Sequence, residues 1–328
     1  MQRRHFNQLL SAAALGGLGG LPATASAQAG GYPRNPVKII IGFGPGSGTD
    51  IISRLVAEEL RQALGQPFVV DNRPGASAQI AATAVAKSPA DGYTLMITSN
   101  TTHSVNPHLF KKLPYDPVAE FKPLGGVAYF PFILAVNASL PVRTAQELVT
   151  YAQQNRGKIN YAYGTPTVQI PAEAINRLKN MGAVGIPYKS SPQALTDVVG
   201  GQAQFIVVDL ASARPHLQSG RLRALAVSSA KRSALAPELP TVEEALGLKD
   251  FDLAAWTGMF GPAGLPAEVV EKVSGALQRP LAKPEVRERI TGLGAEPTPS
   301  DPRAFNDLVK RQLEIWGRNV ALAGIQPE

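Results

Sequence analysis

From residue 37 onward, short runs of β-branched and other apolar residues alternate with longer stretches whose apolar positions recur at helical spacing, and that order leaves few architectures open. The opening unit reads as a strand at 37–41, a glycine-rich loop at 42–49, and a helix at 50–64 with Ile51, Leu55, Val56 and Leu60 on one face. A strand at 68–70, the turn Asn72-Arg73-Pro74-Gly75, an alanine-rich helix at 79–87 and a strand at 93–97 follow. The pattern returns with strand 133–136, helix 145–154, strand 160–163, helices 172–181 and 193–199, and strand 205–208. Beyond it lie strand 222–227, a short helix at 242–246, a strand-like run at 256–260, and helices at 267–281, 284–293 and 302–322. Strands and helices alternating at this spacing predict two α/β units, each with a parallel sheet covered on both faces. The last helix is amphipathic through Phe305, Leu308, Leu313 and Trp316, which predicts that it packs on a sheet rather than on a partner.

Ahead of this lies a different kind of segment. Arg3 and Arg4 precede a run of Leu, Ala and Gly from Leu9 to Leu21, and small residues close it at Ala25-Ser26-Ala27. Positive, apolar and small, in that order, is the pattern of an export signal, predicted to occupy residues 1–27 and to be cleaved. The run is too short and glycine-rich to span a bilayer, and Arg3-Arg4 followed by Phe6 resembles a twin-arginine address. The formal charge of +7 drops by two with the loss of Arg3 and Arg4, and the remaining cations are dispersed rather than gathered into a nucleic-acid stripe. There is no cysteine, and the mature chain of about 300 residues is large enough to hold a core without disulfides and to form two domains.

The chemistry is marked first by what is missing. Gly42-Phe43-Gly44-Pro45-Gly46-Ser47-Gly48 follows a strand and opens a helix, yet it is neither a dinucleotide fingerprint nor a phosphate loop, and Pro45 stands where a nucleophile elbow needs glycine. The mature histidines, His103, His108 and His216, have no metal-motif spacing. No catalytic set, metal site or cofactor is therefore expected. As a binding loop the same segment is coherent: glycines expose N–H groups, Ser47 and Thr49 add hydroxyls, and a helix N-terminus attracts an anion. The plainer alternative is that Ser47 or Thr49 caps the helix while Gly46 and Gly48 make the turn; both can hold at once.

Several stretches, in order and spacing, carry a resemblance to a known family. They are Phe43 to Asp50 with Arg54, Asp71 to Ala76, Asp91-Gly92-Tyr93-Thr94-Leu95, Thr102-His103 through Asn106-Pro107 to Pro117, Ile186-Pro187-Tyr188-Lys189, Gly200-Gly201-Gln202, Pro215-His216, Leu222 to Val227 and Pro240-Thr241-Val242. With these the chain resembles the Bug or TctC family, the extracytoplasmic receptors of tripartite tricarboxylate transporters. The resemblance implies a type II periplasmic-binding-protein fold of two α/β domains joined by two hinge strands. Domain 1 would be residues 31–131 plus 255–328 and domain 2 residues 132–254, with crossings near 127–132 and 255. It implies a monomeric periplasmic protein that closes on a small organic carboxylate and hands it to membrane transporter subunits; a sensory receptor with a membrane signalling partner, or less readily an α/β enzyme, are the alternatives.

Carried over residue by residue, the ligand is expected to meet Phe43, Gly46, Ser47, Gly48 and Thr49 in the first loop, Asn100, Thr101 and Thr102 in a second, Thr165, Thr167 and Val168 in domain 2, and Asp209 after the strand at 205–208. Each has a plain alternative: Asn100 to Thr102 as an ordinary polar loop, Asp209 as a helix N-cap. Asp50 and Arg54, at i and i+4, read as a structural ion pair. The domain 2 stretch Gly164-Thr165-Pro166-Thr167-Val168-Gln169-Ile170-Pro171 departs from the family, being shorter and carrying Pro166 in place of a flexible glycine. Fewer N–H donors there predict a ligand with one well-held carboxylate and a neutral or apolar remainder, unless Val168 and Ile170 point into the core.

Overall fold

The computed structural model describes residues 31–249 and 251–327, so the export segment expected at 1–27 lies outside the described residues. Two mixed sheets form, each with helices on its faces. The six-stranded sheet is built from β1 (Val37–Ile41), β2 (Phe68–Asn72), β3 (Thr94–Ser99), β4 (Phe121–Phe130), β10 (Ala255–Pro262) and β11 (Glu296–Ser300) in the spatial order β11-β4-β10-β3-β1-β2. The five-stranded sheet holds β5 (Phe132–Asn137), β6 (Asn160–Tyr163), β7 (Val184–Pro187), β8 (Phe205–Asp209) and β9 (Leu222–Val227) in the order β7-β6-β8-β5-β9. The chain changes sheet twice, across Pro131 between β4 and β5, and again just before β10, where Ala255 pairs with Phe130.

Each sheet keeps a parallel core and adds antiparallel strands, which the simple alternation does not foresee. In the first, β1 runs parallel to β2 and β3 while β10 is antiparallel to β3 and β4; in the second, β6 is parallel to β7 and β8 while β5 is antiparallel to β8 and β9. Three strands carry residues that read as breakers. β4 contains Pro123, Gly125 and Gly126 and shifts register against β10, while β7 and β11 lie at sheet edges, where proline is tolerated because no neighbour needs its N–H.

The helices are α1 (Gly48–Leu64), α2 (Gln79–Ala86), α3 (Asn106–Leu109), α4 (Ala145–Gln154), α5 (Pro166–Leu178), α6 (Ser191–Val199), α7 (Leu210–Gln218), α8 (Val242–Leu246), α9 (Ala267–Leu281), α10 (Pro284–Gly292) and α11 (Pro302–Ala323). Two boundaries matter for function. α1 starts at Gly48, two residues before the predicted helix, because Ser47 supplies the cap. α5 starts at Pro166, not at 172: Pro166 fits the first turn, where an N–H has no intrahelical partner anyway, and Pro171 is accommodated inside the helix. The stretch expected as a loop is therefore a helix start.

Ile39, Ile40 and Ile41 of β1 and Leu95, Met96 and Ile97 of β3 are completely or almost completely buried, as strands covered on both faces require. Each such side chain contributes about 1.5–3 kcal/mol relative to exposure. α11 places Phe305 and Trp316 in the interior, with Val309 and Val320 beside them, while Leu308 and Leu313 are half-buried. Phe305 lies against Gly258 of β10, where any Cβ would overlap its ring.

Candidate functional site

The loop before α1 is shaped by the helix it opens. Gly46 adopts φ +80°, and Ser47 caps the helix by accepting from the N–H of Asp50 at 3.2 Å. The Asp50 side chain, only 5% exposed, turns back into the loop. One of its oxygens accepts from the Gly46 N–H (2.9 Å) and Arg54 Nε (3.1 Å), the other from Asn72 Nδ2 (2.9 Å), which also donates to the Phe43 carbonyl (2.9 Å). Burial alone would raise this carboxyl, but hydrogen bonds from Arg54, Gly46 and Asn72 outweigh it and hold it below the usual carboxylate range. The expected Asp50–Arg54 ion pair is present at 2.9 Å. The N–H groups of Gly48 and Thr49, in the first turn, have no acceptor within the helix.

Facing this loop are three further helix starts. α5 begins after Thr165 and α6 after Ser190, and neither cap makes a side-chain bond to its helix; α7 begins after Asp209, which accepts from the Ser212 N–H at 2.8 Å and the Ser212 hydroxyl at 3.0 Å. The starts of α1, α5, α6 and α7 all border one inner cavity of about 40 Å3. Its wall includes Phe43, Ser47, Gly48, Thr49, Thr101, Thr165, Thr167, Val168 and Asp209, nine of the twelve residues predicted from sequence. Thr101, from the π-helical turn Thr101–Val105 after β3, is hydrogen-bonded through its hydroxyl to the hydroxyl of Thr167, so the two halves touch across the cleft.

Three predicted residues do not border this cavity. The Gly46 N–H is taken by Asp50, and the residue faces solvent. Asn100 is fully buried and donates to the Ala254 carbonyl at 3.1 Å. Thr102 is fully buried too, bonded to Thr98 (2.9 Å) and to His103 Nδ1 (2.8 Å). The wide π turn sends Thr101 toward the cavity and its neighbours into the core. His103 stacks on Phe260 with ring centroids 4.0 Å apart, and burial pushes its pKa down to about 3, so it stays neutral.

The inner cavity adjoins an outer one of about 560 Å3, the two sharing Phe43, Ser47, Thr165 and Ser191. Sequence reasoning missed most of the outer wall: Phe110, Tyr163 and Tyr188 make it aromatic, and Lys189 brings its sole cationic side chain. Ala76, Ser77 and Ala78 also border it, with φ of 45°, 52° and 65°. Such left-handed geometry costs non-glycine residues roughly 1–2 kcal/mol each, and Asn106 Nδ2 steadies it by donating to the Ser77 carbonyl at 2.9 Å. A signal for Ser191 was available: Ser190-Ser191-Pro192 before an apolar periodic run is a helix-start pattern. Val168 borders the inner cavity while Ile170 is in the core, so only half of the expected apolar wall faces the cavity.

Helix N-termini, hydroxyls and glycine in a small cavity suit one anionic group held by neutral donors. Among the described residues no cluster of His, Asp or Glu could hold a metal ion, and no helix is long and apolar enough to cross a membrane.

Comparison with known proteins agrees with this geometry. The family model described as the tripartite tricarboxylate transporter family receptor matches residues 52–325. A UPF0065 protein of Bordetella bronchiseptica is 35% identical over 303 residues, covering 92% of this chain and 90% of the relative. Among solved structures, an R. palustris protein with adipate has a TM-score of 0.88 at 32% identity, covering 91% of this chain and all of the other. The periplasmic binding protein BugD has a TM-score of 0.85 at 32% identity, covering 90% of this chain and all of the other.

Proposed function

Because the chain belongs to the tripartite tricarboxylate transporter receptor family, we propose that it is exported to the periplasm, captures a small organic carboxylate between its two halves, and delivers it to a membrane transporter. The convergence of four helix N-termini, one from the first half and three from the second, carries this reading. Those of α1, α5 and α6 present backbone donors and a favourable dipole end to an anion, while that of α7 is capped by Asp209. A site shared in this way is completed only when the halves meet. Residues 31–131 with 255–328 form one moving body in this proposal and residues 132–254 the other, hinged where the chain changes sheet. The adipate held by the R. palustris relative supports the ligand class. The role is binding, with no chemical step assigned to any residue.

In a thermal-shift screen of the mature protein against mono-, di- and tricarboxylates, amino acids and aromatic acids, a carboxylate present at about a hundred times its Kd should add about 2.7 kcal/mol and raise the midpoint by several degrees. Small-angle scattering should show a smaller radius of gyration with that acid. A screen in which no carboxylate moves the midpoint would reject the reading.

A further inference from the structure

The inner cavity suits an anion, yet its one formally charged side chain is an aspartate. From α1, Gly48 packs against Asp209 so closely that a Cβ there would overlap Oδ1 and lie 2.9 Å from Cγ. β5 pairs Phe132 with Asp209, and Phe130 of β4, Thr167 and Val168 of α5, and Ser191 of α6 share the cavity wall. Within α7 only Ser212 donates to the carboxyl, at 2.8 and 3.0 Å, and no Lys, Arg or His borders the cavity. The nearest other titratable group in sequence on α1, Asp50, has both oxygens engaged by Gly46, Arg54 and Asn72.

A ligand carboxylate entering this space stands beside the carboxylate of Asp209. Two unit charges about 4 Å apart repel by an amount worth roughly a thousand-fold in affinity at the effective dielectric of such sites. A helix end at the surface is worth roughly two- to five-fold per anion, so on that scale the three starts not already capped by Asp209 recover about a hundred-fold. The repulsion wins, and carboxyl groups confined in this way hold a proton between them.

We infer that Asp209 is the specificity-determining residue of the cavity, and that it captures a carboxylate by sharing one proton with it, so that ligand and proton are taken up together. The proton comes from solvent and bridges one Asp209 oxygen and one ligand oxygen; no other bond forms or breaks. Burial already pushes the Asp209 carboxyl above the usual carboxylate range, which lowers the cost of that proton. The head group selected is the anion of a weak acid. A sulfonate of the same shape is too weak a proton acceptor to replace it. The inference rests on the cleft being a carboxylate site.

Calorimetry on the mature protein with benzoate, adipate and malate, in buffers of different ionisation enthalpy at pH 6 to 9, counts the protons. The acids that bind should take up close to one proton each above the pKa of free Asp209, with affinity falling about ten-fold per pH unit there. Benzenesulfonate should bind at least ten-fold more weakly than benzoate. Asp209→Asn should abolish the uptake and bind more tightly than wild type at pH 9, because the amide is a permanent donor; it also caps α7 as well as aspartate does. Binding without proton uptake from pH 6 to 9 would overturn the inference and leave the carboxylate site standing. So would an Asp209→Asn variant that keeps the wild-type pH dependence or, while folded, loses binding. If none of these acids binds at any pH, the site assignment fails as well. Should Asp209→Asn fail to fold, the wild-type proton count alone decides.

Discussion

Two aspartates stand at helix starts on opposite sides of the cleft, and the protein treats them in opposite ways. Asp50, on α1, receives Arg54, Asn72 and the Gly46 N–H and is held below the usual carboxylate range. Asp209, ahead of α7, is pushed up by burial against hydrogen bonds from Ser212 and its own backbone N–H, with no cation beside it in the cavity wall. The first has no capacity left for a ligand and fixes the shape of the loop that bears Phe43 to Thr49. The second keeps free capacity toward the cavity. One charge is locked into building the wall, and the other group is left facing the cavity.

The largest test of that contrast is Gly48→Val, which fills the space between α1 and Asp209. The added Cβ would meet Asp209 Cγ at 2.9 Å and Phe130 Cε1 at 3.1 Å. Overpacking of this order costs about 1–3 kcal/mol, and all of it falls on the closed form, so carboxylate affinity should drop about a hundred-fold while circular dichroism stays native. Unchanged affinity would mean that the two aspartate-bearing walls do not close on a common ligand.

The next effect separates the two aspartates by pH. Asp50 has a folded pKa below its unfolded value of about 3.9, so its stabilisation is present above about pH 4 and is lost as pH falls through the folded pKa. Asp209 has a raised folded pKa, so its contribution is fully present below about pH 4 and is lost as pH rises through the folded pKa. Denaturant titrations should therefore show Asp50→Asn less stable than wild type at pH 7 by about 1–3 kcal/mol, the cost of leaving buried partners unsatisfied. Asp209→Asn should gain on wild type from acid to alkaline pH, as the raised carboxyl ionises in the wild-type protein. Equal effects of the two substitutions across the pH range would erase the distinction.

The smallest change is expected from Thr167→Val, which removes the hydroxyl contact with Thr101 across the cleft. Stability should fall by less than about 1 kcal/mol, while scattering of the ligand-free protein should shift toward a larger radius of gyration. A loss as large as that of Asp50→Asn would make the pair structural rather than a contact between moving halves.

Much of this was legible in the sequence where local rules decide the outcome. The glycine loop and the Asp50–Arg54 pair follow from spacing alone, and so do most strands with β-branched runs; on α1 Leu55, Val56 and Leu60 are buried as expected, but Ile52 rather than Ile51 completes the face. Elsewhere tertiary context overrides the local signal. Glu296-Pro297-Thr298-Pro299-Ser300 has no strand pattern, yet it pairs at an edge where its prolines cost nothing. The helix expected at 172–181 starts at Pro166 instead, and with that earlier start come the donors that Thr167 and its neighbours bring to the cleft. Which of Asn100, Thr101 and Thr102 faces the cavity depends on the pitch of a π turn, which the three polar side chains do not encode. The aromatic outer wall joins residues as distant as Phe110 and Tyr188, and only the fold brings them together.

The position of β10 bears on how the chain assembles itself. This strand is bonded to β3 on one side and β4 on the other, so the six-stranded sheet stays divided until residues 255–262 arrive. All of the five-stranded sheet lies between β4 and β10 in sequence. Were the intervening segment unstructured, bringing β10 to β4 would close a loop of more than a hundred residues. If that segment folds first, its two ends emerge side by side at Phe132 and Leu253, already tied through the Ser228 carbonyl to the Leu253 N–H at 2.9 Å and through the Phe132 carbonyl to the Ser228 N–H at 2.9 Å. The middle segment of the polypeptide, folded first, would thus act as a template that delivers the missing strand into register, a cassette inserted into the sheet it interrupts.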